Sequence, residues 1–192
     1  MIARWLLILA MASGCCAAED YSYWIEPCAP ETAKATTCEA GDPELARWAL
    51  EAWQRESNRA LIFHKSATEE HARIRLQWAN GTTSLYGETQ PVTVDGKRGA
   101  VIYVLPGITA GASGDRLMRD AIVYLTCLHE SGHALGLEHT AAFADIMYSF
   151  QYGGDIAGYF QRYRDQLKSR EDIRLHSGVS DADRVTIRSL FK

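Results

Sequence analysis

Residues 129–139 read His-Glu-Ser-Gly-His-Ala-Leu-Gly-Leu-Glu-His and carry the most specific chemistry in the chain. His129 and His133 are four apart, so a helix would set both imidazoles on one face, a turn apart, where they can share a metal ion. Glu130 sits beside this pair, poorly placed to bind the ion but well placed to act as general base on a water there. Gly136 can take a positive φ and end the helix sharply, turning the chain back so that His139 reaches the same ion. Three neutral imidazoles and one water make an open tetrahedral zinc site of the catalytic type, and the absence of a thiolate ligand argues against a closed structural finger. The remaining histidines, His64, His71 and His176, lack such spacing and read as surface or strand residues.

The motif needs a helix beneath it. Leu117, Met118, Ala121, Ile122, Leu125 and Leu128 recur at helical spacing, predicting one long helix from a cap near Asp115 to about Leu135. A loop at 111–115 precedes it. An earlier helix is predicted from Asp42-Pro43 to about Ser57, with Leu45, Trp48, Ala49, Ala52 and Trp53 on its apolar face. Strands are expected at 61–64, at 74–78, where Ile74, Leu76 and Trp78 alternate with Arg75 and Gln77, and at 100–105, ended by Pro106-Gly107. Residues 80–99 read as polar, with an extended piece at 91–94 and a hairpin turn at Asp95-Gly96. Ile156, Tyr159, Phe160, Tyr163 and Leu167 mark another amphipathic helix, and Ser180-Asp181-Ala182-Asp183 opens a last one. Residues 19–43 show little periodicity and read as irregular.

At 192 residues, with 47% hydrophobic and 23% charged residues, the chain has the composition of one globular domain. Its formal net charge of −4 and lack of a Lys/Arg cluster give no footprint for nucleic acid. Arg4 followed by the short apolar run 5–12 reads as an export signal over residues 1–18, too short to span a bilayer. Two processing routes compete. Ala12-Ser13-Gly14-Cys15 resembles a bacterial lipobox that would lipidate Cys15, although Ala12 stands where leucine is usual; cleavage near Ala18 is the other. Both carry residues 19–192 out of the cytoplasm, to be secreted, periplasmic or lipid-anchored at a bacterial envelope. Export favours a disulfide between Cys28 and Cys38 over a metal pair, for which no histidine lies nearby. Cys127 lies in an apolar helical run and is expected as a buried thiol.

The extended motif resembles the metzincin superfamily of zinc endopeptidases. A methionine turn should follow the third histidine, and Ala144-Asp145-Ile146-Met147-Tyr148 stands in that place. By resemblance, Met147 lies under the ligands as an apolar floor. The matrixin branch looks closest: Thr140 follows His139, Met147-Tyr148 resembles its Met-Tyr-Pro with Ser149 for the proline, and residues 179–191 resemble its closing helix. The resemblance covers about 42–191, with 129–147 as its diagnostic stretch. It implies an α+β domain: a twisted mixed sheet, an active-site helix, a zinc cleft and a small C-terminal subdomain ending in a helix. It also implies one catalytic zinc and a protein or peptide substrate. A monomer is expected, whose only membrane link would be the lipid anchor at Cys15.

The departures are informative. Residues 80–114 contain no histidine, so the second, structural zinc of many matrixins is not expected; calcium there is left open. The family's propeptide switch motif is absent. Residues 150–178 exceed the family's usual link, and either shape specificity or form a helix packed on the domain. The site implies hydrolysis by a water activated at zinc, with Glu130 moving its proton; the resemblance implies a peptide substrate, extended and added to a sheet edge at 100–105. Two other readings compete: a zinc-binding interaction lipoprotein without turnover, and a zinc amidase acting on a non-protein bond.

Overall fold

A computed structural model describes residues 18–81, 86–107 and 114–192. Cys15, nearly all of the expected export signal and part of the 111–115 loop lie outside the described residues. The architecture is α+β. Among the described residues are five strands, β1 (Glu19–Ile25), β2 (Leu61–Lys65), β3 (Ile74–Trp78), β4 (Gly87–Val94) and β5 (Lys97–Val104). Five helices accompany them: α1 (Pro30–Thr36), α2 (Asp42–Glu56), α3 (Arg116–Leu135), α4 (Ile156–Arg164) and α5 (Asp181–Leu190). The strands form one mixed sheet in the order β2-β1-β3-β5-β4, parallel except for the β4–β5 hairpin.

Two expectations are corrected here. Residues 19–43 are not irregular: β1 is an inner strand paired in parallel to β2 and β3, and α1 follows it. Parallel partners are distant in sequence and leave no turn signal beside the strand, so a seven-residue strand with one fully buried side chain, Tyr21, was masked by its Pro- and Thr-rich sequel. The free edge is also not 100–105. That stretch, as β5, is held on both sides by β3 and β4, and among the described residues β4 is the edge strand at that end of the sheet, as β2 is at the other. β4 reads as polar because an edge strand needs no second buried face; Glu88 and Gln90 are exposed. The turn at Asp95-Gly96 forms as expected, with both residues at positive φ (50° and 74°) as a two-residue hairpin requires.

α3 is the spine. Its N-terminus is capped by Asp115, whose side chain accepts from the Met118 N–H at 3.0 Å. Residues 121–128 are buried all round because the sheet covers one side of α3 while α2 and α4 pack on it as well. Two polar ties fix α2 on α3. Asp42, fully buried, takes a bidentate pair from Arg119 at 2.6 and 2.7 Å. Trp53 donates its indole N–H to the Leu128 carbonyl at 3.0 Å, just ahead of the histidine motif. Cys28 and Cys38 are joined by a disulfide that brackets α1, and Cys127 is a buried free thiol.

The segment 150–178 contains a 3₁₀ turn (Phe150–Tyr152), α4 and a second 3₁₀ turn (Arg170–Arg174). α4 ends at Arg164, short of the expected Leu167. Tyr159, Phe160, Tyr163, Leu167 and Ile173 are all buried in the main core, so the segment packs on its own domain.

Candidate metal centre

α3 carries His129 and His133 on consecutive turns and ends at Gly136, whose φ of 104° makes the reversal that a side chain would strain. The Leu137 N–H bonds back to the Gly132 carbonyl at 3.0 Å and the Gly136 N–H to the His133 carbonyl at 2.9 Å, the paired closure of a Schellman motif. Arg98 adds a guanidinium N–H to the His133 carbonyl at 3.3 Å, a cation at the negative end of the helix. The chain then returns and sets His139 against the other two rings.

The three imidazole Nε2 atoms form a triangle with sides of 3.1, 3.1 and 3.2 Å. Hydrogen bonding on the far side of two rings decides their chemistry. His129 Nδ1 lies 2.6 Å from the Ile146 carbonyl and His133 Nδ1 lies 2.9 Å from the Leu137 carbonyl. A carbonyl only accepts, so both Nδ1 atoms carry the proton and both Nε2 atoms present bare lone pairs. Bare lone pairs facing one another at such distances repel unless a cation lies among them. A zinc ion about 2.0 Å from each of three tetrahedral ligands spaces them by roughly 3.3 Å, close to the sides found. These histidines could hold a metal ion, and the donor set is compatible with zinc. No family model matches the chain, and no curated protein does.

The pKa values agree with that role. Burial pushes His129 down to about 4, the neighbouring imidazoles add to this, and the Ile146 carbonyl opposes it. Burial also lowers His133 and His139. All three are neutral at pH 7, as a metal requires. His139 is exposed, so one side of the triad opens to solvent.

Glu130 is 6% exposed. Burial pushes its carboxyl up to about 7; a Thr89 hydrogen bond pulls it down and the Glu88 charge pushes it further up. Thr89, on the edge strand β4, places its hydroxyl 2.6 Å from Glu130 Oε2. A Cβ on Gly87 would stand 2.7 Å from Glu130 Cγ, so the edge strand closes over the carboxylate only because position 87 has no side chain.

The turn containing Met147 packs against α3. A Cβ on Gly132 would meet Met147 Sδ at 2.5 Å, which puts the thioether against the helix backbone between His129 and His133. Ile146 links two layers. Its carbonyl fixes His129, and its N–H donates to Asp183 Oδ2 on α5 at 2.7 Å. Ser180 donates to Asp145 at 2.8 Å, and Thr140 donates to the other oxygen of Asp145 at 2.9 Å. The residue after His139, the turn at Met147 and the cap of α5 are thereby one network.

Motif spacing did not single out Thr89, Asp145 or Asp183 as site residues. Asp183 stood out only as part of a helix start, and Thr89 is one polar residue in a polar stretch. His64, His71 and His176 are exposed and take no part in the cluster.

Proposed function

We propose that the chain is a zinc-dependent endopeptidase of the metzincin type, closest to the matrixin branch and exported from the cytoplasm. One observation carries the reading: three imidazole nitrogens converge, and the buried carboxylate of Glu130, the residue after His129, bonds to a strand that ends the sheet among the described residues. His129, His133 and His139 would hold one zinc ion. Bound there, the ion would supply Lewis-acid polarisation of a water and of a peptide carbonyl.

The chain's own residues do the rest. Glu130, with a pKa near neutrality before any nearby cation pulls it down, holds a carboxylate able to take the proton of the attacking water. It then returns that proton to the leaving amine. The Thr89 hydroxyl holds one carboxylate oxygen and leaves the other to meet the water. The free backbone groups of β4 can pair with an extended substrate, which brings a peptide bond alongside Glu130. The Cys28–Cys38 disulfide supports an oxidising compartment. Among the described residues no helix is long and apolar enough to cross a membrane.

The test is metal dependence. Purified chain should hold about one zinc and cut a mixed peptide library; stripping the metal should abolish cutting and one equivalent of zinc should restore it. Zinc bound without any cut peptide would overturn the endopeptidase reading while leaving the metal centre standing.

A further inference from the structure

The hairpin register decides which backbone groups β4 shows to its free edge. Gly87 pairs with Val104, and the Leu105 N–H bonds to the Tyr86 carbonyl at 2.9 Å. In an antiparallel ladder such a bond flanks a pair whose own N–H and C=O groups point away from each other. Gly87, Thr89, Pro91 and Thr93 therefore turn their backbone groups outward, and Glu88, Gln90, Val92 and Val94 turn theirs toward β5. The far side of β5 agrees. The Ala100 N–H bonds to Arg73 and the Val104 carbonyl to the Ala79 N–H, so the even positions of β5 serve β3 and the odd positions serve β4.

Along that outward row, Gly87 and Thr89 each offer an N–H and a C=O, and both lie on the face of β4 that meets Glu130. Pro91 is next. It has no N–H, and its ring occupies the space into which an amide would point. A peptide added to this edge would make paired bonds at Gly87 and Thr89, then meet one missing donor and a steric obstacle.

We propose that Pro91 ends the substrate's main-chain ladder, so that toward the hairpin an extended peptide is held through Thr89 and leaves the edge at Pro91. This rests on the endopeptidase reading. Its consequence is a short recognition window beside Glu130: lengthening a substrate past the residue facing Thr89 adds nothing through the backbone. In the free protein the same proline blunts the outer part of an otherwise open edge.

The test is amide hydrogen exchange on the zinc-loaded chain. The probe is the best-cut library peptide, made uncleavable by reducing its scissile amide to a methylene-amine. Binding should slow exchange at Gly87 and Thr89 at least tenfold and leave Thr93 unchanged. In Pro91→Ala, which costs no bond to β5, the amides of residues 91 and 93 should also slow, and peptides extended on that side should show a KM about tenfold lower. Protection of Thr93 in the parent, or none at Gly87 and Thr89, would overturn the proposal even if the library is cut. So would a Pro91→Ala chain that self-associates yet binds peptide as the parent does, since the proline would then only guard the edge. A library left wholly uncut would remove the endopeptidase reading, and this proposal with it.

Discussion

Thr89 Oγ1 stands 2.6 Å from Glu130 Oε2, a contact across 41 positions that joins the edge strand β4 to α3. A hydrogen bond to a charged, buried carboxylate is worth about 1.5–3 kcal/mol, and it steadies one oxygen while leaving the other free. Thr89→Val should lower kcat by roughly ten- to a hundredfold with little change in KM. Thr89→Ser should keep most of the activity. Losing a bond that lowers the Glu130 pKa should also move the acid limb of the kcat profile to higher pH. Steady-state kinetics across pH on both variants, with zinc content measured, check this.

Asp183 acts at one remove. It receives the Ile146 N–H while the Ile146 carbonyl fixes the His129 ring, so removing the carboxylate loosens a ligand it never touches. Asp183→Ala should weaken zinc binding about ten- to a hundredfold and cost roughly 1–3 kcal/mol of stability from the unpaired buried N–H. Chelator competition and denaturant unfolding measure the two effects separately.

The metal-free chain should be acid-sensitive through its ligands. Burial, with the neighbouring imidazoles, takes His129 from the ordinary 6.5 to about 4 in the fold, and burial lowers His133 and His139 as well. Between the folded values and 6.5 the unfolded chain binds more protons, so stability rises with pH across that window. The contribution is complete above about pH 7 and is lost as pH falls from 6.5 toward 4. Zinc loading should fade over the same range, because protons compete for the same nitrogens. Unfolding of the apo chain at pH 7, 5 and 4 checks the direction; an apo chain equally stable throughout would contradict it.

The Cys28–Cys38 bridge spans 10 positions and ties down the segment between β1 and α2. Loop-closure entropy for such a ring is about 2–3 kcal/mol. The double Cys→Ser variant should lose that much, read as a lower urea midpoint.

The local parts of the fold were readable in advance, and the non-local parts were not. α3 was legible from end to end because its apolar repeat, its Asp115 cap and Gly136 are signals within one segment. The histidine cluster was legible for the same reason: its ligands lie within eleven consecutive positions and one turn of helix plus one glycine brings them together. β1 escaped because its partners are 42 to 51 positions away; of β4 only 91–94 read as extended, because an exposed edge strand carries a polar sequence. The supporting residues Thr89 and Asp183 reach the site through the same long-range pairings, so no spacing within the motif points to them.

The central claim is that Glu130 moves the proton in a zinc peptidase. Its most direct test compares the purified chain with Glu130→Ala on a mixed peptide library, with zinc measured in both. The account predicts about one zinc in each and cleavage by the parent alone, the variant falling by several orders of magnitude. Equal cleavage by both, or zinc in both and cleavage by neither, would contradict it.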